Sequence, residues 1–304
     1  VTAMKTTLPK PTNVSPNFTA DKVLMSLPQP KVLLKPTSAA NMNKSLPEQQ
    51  VLNSSITALR LDKTTRTIMQ WAHGGESKAV CVANVHMLME AYWHGQFSQV
   101  LQNADMVTPD GMPLVWMMRL LGRKGQDRVA GMDILQNLCQ KASEEKVKVF
   151  FLGSQKSILD RMRARLEKEY PNLEIAAMKP LPFRPLTAAE DEELMEEIHE
   201  SGAGIVFLSL GCPKQEKWMA EHQGRVQAVM IGLGGAFPVY AGLKKWAPRW
   251  VRQAGLEWLY RLLQEPKRLL GRYTQTIPPF IFFASMQLVA HHLAPKRLLN
   301  AFNL

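Results

Sequence analysis

GIVFLSLGCPKQEKW, Gly204 to Trp218, is the stretch on which the fold turns. Its first half is a continuous apolar run rich in β-branched and aromatic residues, the pattern of a strand buried on both faces. Gly211 permits a sharp turn, Pro213 suits a first helical turn, and the polar Lys214, Gln215 and Glu216 lead into a helix. A buried strand that hands over through glycine to a helix is the repeating unit of a parallel α/β sheet.

The same grammar recurs in both directions from this stretch. KAVCVA (Lys78 to Ala83) reads as a strand before a helix in VHMLMEAYWHG (Val85 to Gly95). VKVFFLG (Val147 to Gly153) precedes a helix from Gln155 to Tyr170, and LEIAAM (Leu173 to Met178) is a further strand. Thr187 and Glu190 have capping-box spacing and open an acidic helix through His199. VQAVMIGLGG (Val226 to Gly235) closes the series. The expected class is α/β, a parallel sheet covered by helices on both faces.

In open sheets of this kind, ligands bind beyond the carboxyl ends of the strands, where helix N-termini present N–H groups to anions. Gly153, Gly211 and Gly232 end three of the strands and outline such a pocket. IGLGGAF is not a complete GxGxxG fingerprint and no GxxxxGK[ST] occurs, so neither NAD nor ATP is expected.

Composition narrows the class further. The 304 residues carry a net charge of +11, an excess that points to an anionic partner. The three cysteines, Cys81, Cys139 and Cys212, are scattered without metal-ligand spacing, which fits a reducing compartment. No signal peptide is evident, and Ile277 to Ala290, the most apolar stretch, is too short to span a bilayer. The expected location is cytoplasmic, peripheral at the inner face of the membrane.

Three regions are expected. Residues 1 to 60, rich in Pro, Ser, Thr and Asn, read as a disordered tail. Residues 61 to 243 form the α/β core, and residues 244 to 304 a basic, aromatic-rich helical appendage. Between Lys244 and Arg272 the appendage holds eight basic residues against Glu257 and Glu265, with Trp246, Trp250, Trp258 and Tyr260 among them. Such a segment suits an anionic membrane surface. Single-stranded nucleic acid would accept the same composition, but the apolar run that follows favours the membrane.

Asp110, between Pro109 and Gly111 and just ahead of an apolar helix, is either a turn residue or a general base at the pocket rim. Asp105 reads as a turn residue. Arg128, in RVAGMD with Asp133, is either a surface arginine or a phosphate ligand. No DxD pair occurs. Cys212 lies near a helix start without a histidine beside it, and reads as a turn residue rather than a nucleophile.

Four segments together resemble the WecG/TagA/CpsF family of glycosyltransferases. They are VANVHMLM (Val82 to Met89), TPDGMPLVW with RVAGMD (Thr108 to Asp133), LGCPKQEKW (Leu210 to Trp218), and GLGGAFPVYAG with KKWAPRW and GLEWLYRLLQEPKR (Gly232 to Arg268). The resemblance implies a Rossmann-like core with a C-terminal appendage. It implies inverting, metal-independent transfer of a sugar, by default N-acetylmannosamine, from a UDP-sugar to a polyprenyl-diphosphate-linked acceptor in cell-envelope assembly.

On that resemblance Asp110 is the base and Arg128 an active-site arginine. Asn84, Gly111, Gly211, Lys214, Gln215, Gly234 and Gly235 belong to the substrate pocket, with the N–H groups around Gly211 and Gly234 facing the leaving group. Arg249, Arg261 and Arg268 are the appendage candidates for completing the site. No cofactor, metal or nucleic acid is implied, and a homo-oligomer fits. Val82 stands where many relatives have Thr, and Pro238 where many have Asp, so the donor sugar is left open. The competing reading is a non-catalytic nucleotide-sugar or membrane-binding adaptor on the same fold.

Overall fold

The computed structural model describes residues 46–182 and 184–293. Its first elements correct the expected tail, because β1 (Glu48–Val51) and β2 (Ser54–Thr57) form an antiparallel hairpin. Val51 and Ile56 are fully buried in it, and Thr57 Oγ1 accepts the Val107 N–H at 3.0 Å. Residues 1–45 of the expected tail, and the last eleven residues of the appendage, lie outside the described residues.

Six strands form the central sheet: β3 (Lys78–Ala83), β4 (Met106–Pro109), β5 (Val149–Gly153), β6 (Ile175–Lys179), β7 (Ile205–Ser209) and β8 (Val229–Gly232). Their order is β4-β3-β8-β7-β5-β6, and every pair is parallel. Each strand alternates its side chains between two apolar layers. In β7, for example, Val206 and Leu208 face one layer, Ile205 and Phe207 the other.

One layer is built with α1 (Leu61–His73), α5 (Gly131–Glu145), α6 (Lys156–Glu169) and α9 (Ala236–Tyr240). The other uses α2 (Val85–Trp93), α3 (Gly95–Asn103), α4 (Met112–Leu120), α7 (Ala188–Ser201) and α8 (Lys214–His222). Phe151 packs on Phe207 and Phe237 with ring centroids 5.2 and 5.8 Å apart. Burying a side chain of this size contributes about 1.5–3 kcal/mol. The capping box forms as the spacing predicts: Thr187 Oγ1 accepts from Glu190 N–H, and Glu190 Oε2 from Thr187 N–H.

After the sheet the chain runs through α10 (Arg249–Gln253), α11 (Glu257–Gln264) and α12 (Pro266–Leu293). Gly255, between the first two, has φ +75°, a left-handed conformation that suits glycine. A Cβ there would lie 2.6 Å from the Trp116 ring, so the turn also needs a residue without a side chain. The apolar stretch at Ile277 to Ala290 is part of the 28-residue α12, which continues through Pro278 and Pro279.

α12 returns over α2, where Phe283 packs on Tyr92 with centroids 4.5 Å apart, and buries Phe280 and Ala284. At its far end Gln287 grips the hairpin, accepting the Leu52 N–H at 2.9 Å and donating to the Gln50 carbonyl at 3.1 Å. Among the described residues no helix is long and apolar enough to cross a membrane.

Candidate active site

The carboxyl ends of β3, β4, β7 and β8 face the three C-terminal helices across a cleft of about 660 Å³. Asn84 follows β3 and Asp110 follows β4. Register sets them side by side, with Ala83 opposite Pro109 and the Asp110 N–H donated to the Ala83 carbonyl at 2.8 Å. Asn84 caps α2 by accepting the Met87 N–H, which leaves its amide NH₂ for a ligand. The first residues of α2, α4 and α5 all line the cleft, so three helix N-termini bring positive partial charge to it.

Arg128 organises the charged part. Its Nη1 lies 2.7 Å from Glu257 Oε2 and 3.7 Å from Asp110 Oδ1, and its Nη2 lies 3.1 Å from Asp133 Oδ2. Arg261 Nη2 takes the other Glu257 oxygen at 2.8 Å, and Arg252 Nη1 approaches Asp133 Oδ1 at 3.5 Å. Three carboxylates and three guanidiniums therefore alternate, drawn from β4, α5 and the appendage. Arg252 also stacks over the Trp246 ring at 3.9 Å.

Burial is the main force on Asp110 and raises its carboxyl from 3.8 to about 6, with Arg128 and Arg261 pulling against it and Glu257 and Asp133 adding to the rise. Burial raises Asp133 as well, against Arg128 and Arg252. Burial works to lower Arg261, but Glu257 and Asp110 outweigh it and hold the guanidinium firmly charged. A carboxylate near 6 beside fixed cations is a proton acceptor suited to neutral pH.

Gln215 sits under the strand ends and is 4% exposed. Its Oε1 accepts the Gly211 N–H at 3.1 Å, and its Nε2 donates to Glu216 Oε1 at 2.8 Å. A Cβ on Gly232 would come within 2.8 Å of its amide. Gln215 lines the cleft, and its amide is engaged in bracing the β7 and β8 ends.

The leaving-group role expected of the Gly211 and Gly234 N–H groups does not match their bonding. The first is taken by Gln215, and the second donates to the Leu208 carbonyl at 3.1 Å. Pro213 caps α8 rather than entering its first turn. Cys212 is half-buried, and burial with Glu216 nearby pushes its thiol well up, which removes a thiolate nucleophile at neutral pH.

Asn84, Asp110, Gly111, Arg128, Gly211, Gln215, Gly234, Gly235, Arg261 and Arg268 all line the cleft. Lys214 and Arg249 do not; both are exposed. In place of Arg249, Arg252 points inward one turn later, and Arg272 joins it from α12. Sequence reasoning also passed over Glu257, although an acid inside a strongly basic run was a signal. Asp105 is at the opposite end of the sheet, accepting from Ala79 N–H and Gln223 Nε2.

A family model described as "Glycosyl transferase WecG/TagA/CpsF family" matches residues 49–293. A Bacillus spizizenii protein named N-acetylglucosaminyldiphosphoundecaprenol N-acetyl-beta-D-mannosaminyltransferase is 34% identical over 203 residues, 66% of this chain and 76% of its own length. A Bacillus subtilis protein of the same name is 32% identical over 205 residues, 65% and 78% of the two chains. One from Staphylococcus aureus strain MW2 is 29% identical over 204 residues, 67% and 78%.

Proposed function

The chain belongs to the WecG/TagA/CpsF family of glycosyl transferases, and from that premise we propose that it moves a sugar from a UDP-sugar to a sugar on a polyprenyl diphosphate, with Asp110 as general base. The relatives' names give the default pair, N-acetylmannosamine passed to a diphosphoundecaprenol-linked N-acetylglucosamine. The observation that carries the reading is Asp110 itself: a buried carboxyl raised to about 6, in the cleft, 3.7 Å from Arg128.

In the proposed step the acceptor hydroxyl attacks the anomeric carbon while its proton passes to Asp110. The bond from that carbon to the diphosphate oxygen breaks, and its electron pair leaves with UDP. Attack opposite the leaving group inverts the centre. Arg128, Arg261 and the helix N-termini meet the charge that develops on the diphosphate, the part a metal takes in other transferases. Transfer is therefore proposed to proceed without a metal.

The outer face of the appendage supports docking on an anionic membrane. Trp250, Leu263, Leu270 and Phe282 are 55–75% exposed there, among basic residues that would meet lipid phosphates. The deciding experiment is a transfer assay with lipid-linked N-acetylglucosamine and a panel of UDP-sugars in excess EDTA. Turnover that Asp110→Asn abolishes supports the reading. UDP binding without transfer from any donor would make the chain a nucleotide-sugar adaptor instead.

A further inference from the structure

Beyond Asp110 and the arginines, the cleft turns apolar. On α4, Pro113, Trp116 and Leu120 line it at helical spacing, and on α12 Ile277, Ile281 and Ala284 do the same from the other side. Three of these are large and open to solvent: Trp116 is 45% exposed, Leu120 56% and Ile281 58%. A contiguous apolar wall left open to water marks a place where something binds.

The groove is continuous with the charged site. Along α12, Arg268 and Arg272 come first, Thr276 follows, and the apolar face then runs to Leu288, all within one cleft. From Arg272 to Leu288 the wall is about 24 Å long at helical rise. Cations at one end and a long apolar trough at the other fit an amphiphile with an anionic head and a hydrocarbon tail.

We infer that the groove between α4 and α12 holds the isoprenoid chain of the acceptor, with the adjoining diphosphate at Arg268 and Arg272. The identity of the occupant rests on the acceptor proposed above. Its chain is joined through the diphosphate to the sugar that must reach Asp110, so the first isoprene units have to leave the site through a wall of the cleft. The α4–α12 trough opens directly from the arginines.

Binding of farnesyl diphosphate, measured by calorimetry below its micelle concentration and against inorganic pyrophosphate, tests this. Burial of the tail makes farnesyl diphosphate bind at least about tenfold tighter than pyrophosphate. Leu120→Asp and Ile281→Asp place a charge in the groove and bring the two ligands to within about twofold. Both positions are exposed, so the melting midpoint stays near that of the wild type.

Val289→Asp, also on α12 and 56% exposed but outside the cleft, leaves the preference intact. Equal binding of the two ligands by the wild type would overturn the inference, as would equal weakening by Val289→Asp, which marks adsorption to any greasy surface. So would a ligand-free dimer that already buries Trp116. No sugar transfer is read, so a chain that binds farnesyl diphosphate in this way yet transfers nothing keeps the groove and loses the functional reading.

Discussion

Glu257 of the appendage and Arg128 of the core meet at 2.7 Å, and the second oxygen of the same carboxylate holds Arg261 at 2.8 Å. One side chain thus fixes two cations beside Asp110 and ties α11 to the strand ends. Removing it takes the Glu257 partner from Arg261 and leaves Arg128 with Asp133 and Asp110. A broken buried pair costs about 3–5 kcal/mol, and the partial exposure of Arg261 puts the expected loss below that. Glu257→Ala is expected to lower the melting midpoint and turnover together. Glu257→Gln, which keeps the shape and loses the charge, is expected to retain more stability than activity. Melting curves and steady-state transfer rates check both.

Asp110→Asn is expected to lower kcat by about 10²–10⁴-fold, the usual contribution of a positioned base. KM for the donor should change little, since the amide keeps the shape of the carboxyl. Steady-state kinetics with saturating acceptor measures this.

The pH profile follows from the same carboxyl. A base must be unprotonated, so kcat/KM is expected to fall about tenfold per unit as pH drops below about 6. A limb near 4 instead would mean that an unperturbed carboxylate is the base.

Stability runs the other way. The folded protein holds the Asp110 proton more tightly than the unfolded chain, so this group's contribution is complete below the ordinary 3.8 and lost as pH rises through about 6. Asp110→Asn mimics the protonated form. Above pH 7 it is expected to be more stable than the wild type by up to about 3 kcal/mol, and the two should converge below about pH 4. Urea melts at three pH values test this.

Gly232→Ala places a methyl 2.8 Å from the Gln215 amide nitrogen and 3.1 Å from its Cδ. Gln215 is held at both ends of its amide and cannot swing away freely. The substitution is expected to cost about 1–3 kcal/mol, as other overpacked sites do. It should raise the donor KM by loosening the β7 end, and kinetics at a temperature well below the melting midpoint separates that from simple unfolding.

Five of the six central strands were legible because they are mainly apolar runs, and a run such as IVFLS has little other use than burial on both faces. β4 was not, since MVTP is four residues long and ends in Thr and Pro. The hairpin was not. Glu48 to Thr57 is mostly polar, and what holds it is tertiary, through Val51 and Ile56 in the core and Gln287 from the far end of the chain. Asp110 stood out by its place between Pro109 and Gly111 ahead of an apolar helix, whereas Asn84 and Gln215 came only with the family resemblance. The inward arginine of α10 did not emerge, because a five-residue helix has too little pattern to fix its phase, and Arg249 and Arg252 look alike until the turn is built.

The alternating carboxylates and guanidiniums have a consequence for the order in which the protein is made. A nascent chain that has emerged only as far as α9 can lay down the sheet, and it then carries Asp110 and Asp133 with Arg128 alone, one net negative charge in the site. Arg252, Glu257 and Arg261 arrive last and bring the cluster to neutrality. The charge balance of the cluster is therefore completed only after the sheet has been made, so a chain cut after α9 keeps Asp110 and Asp133 with a single guanidinium between them.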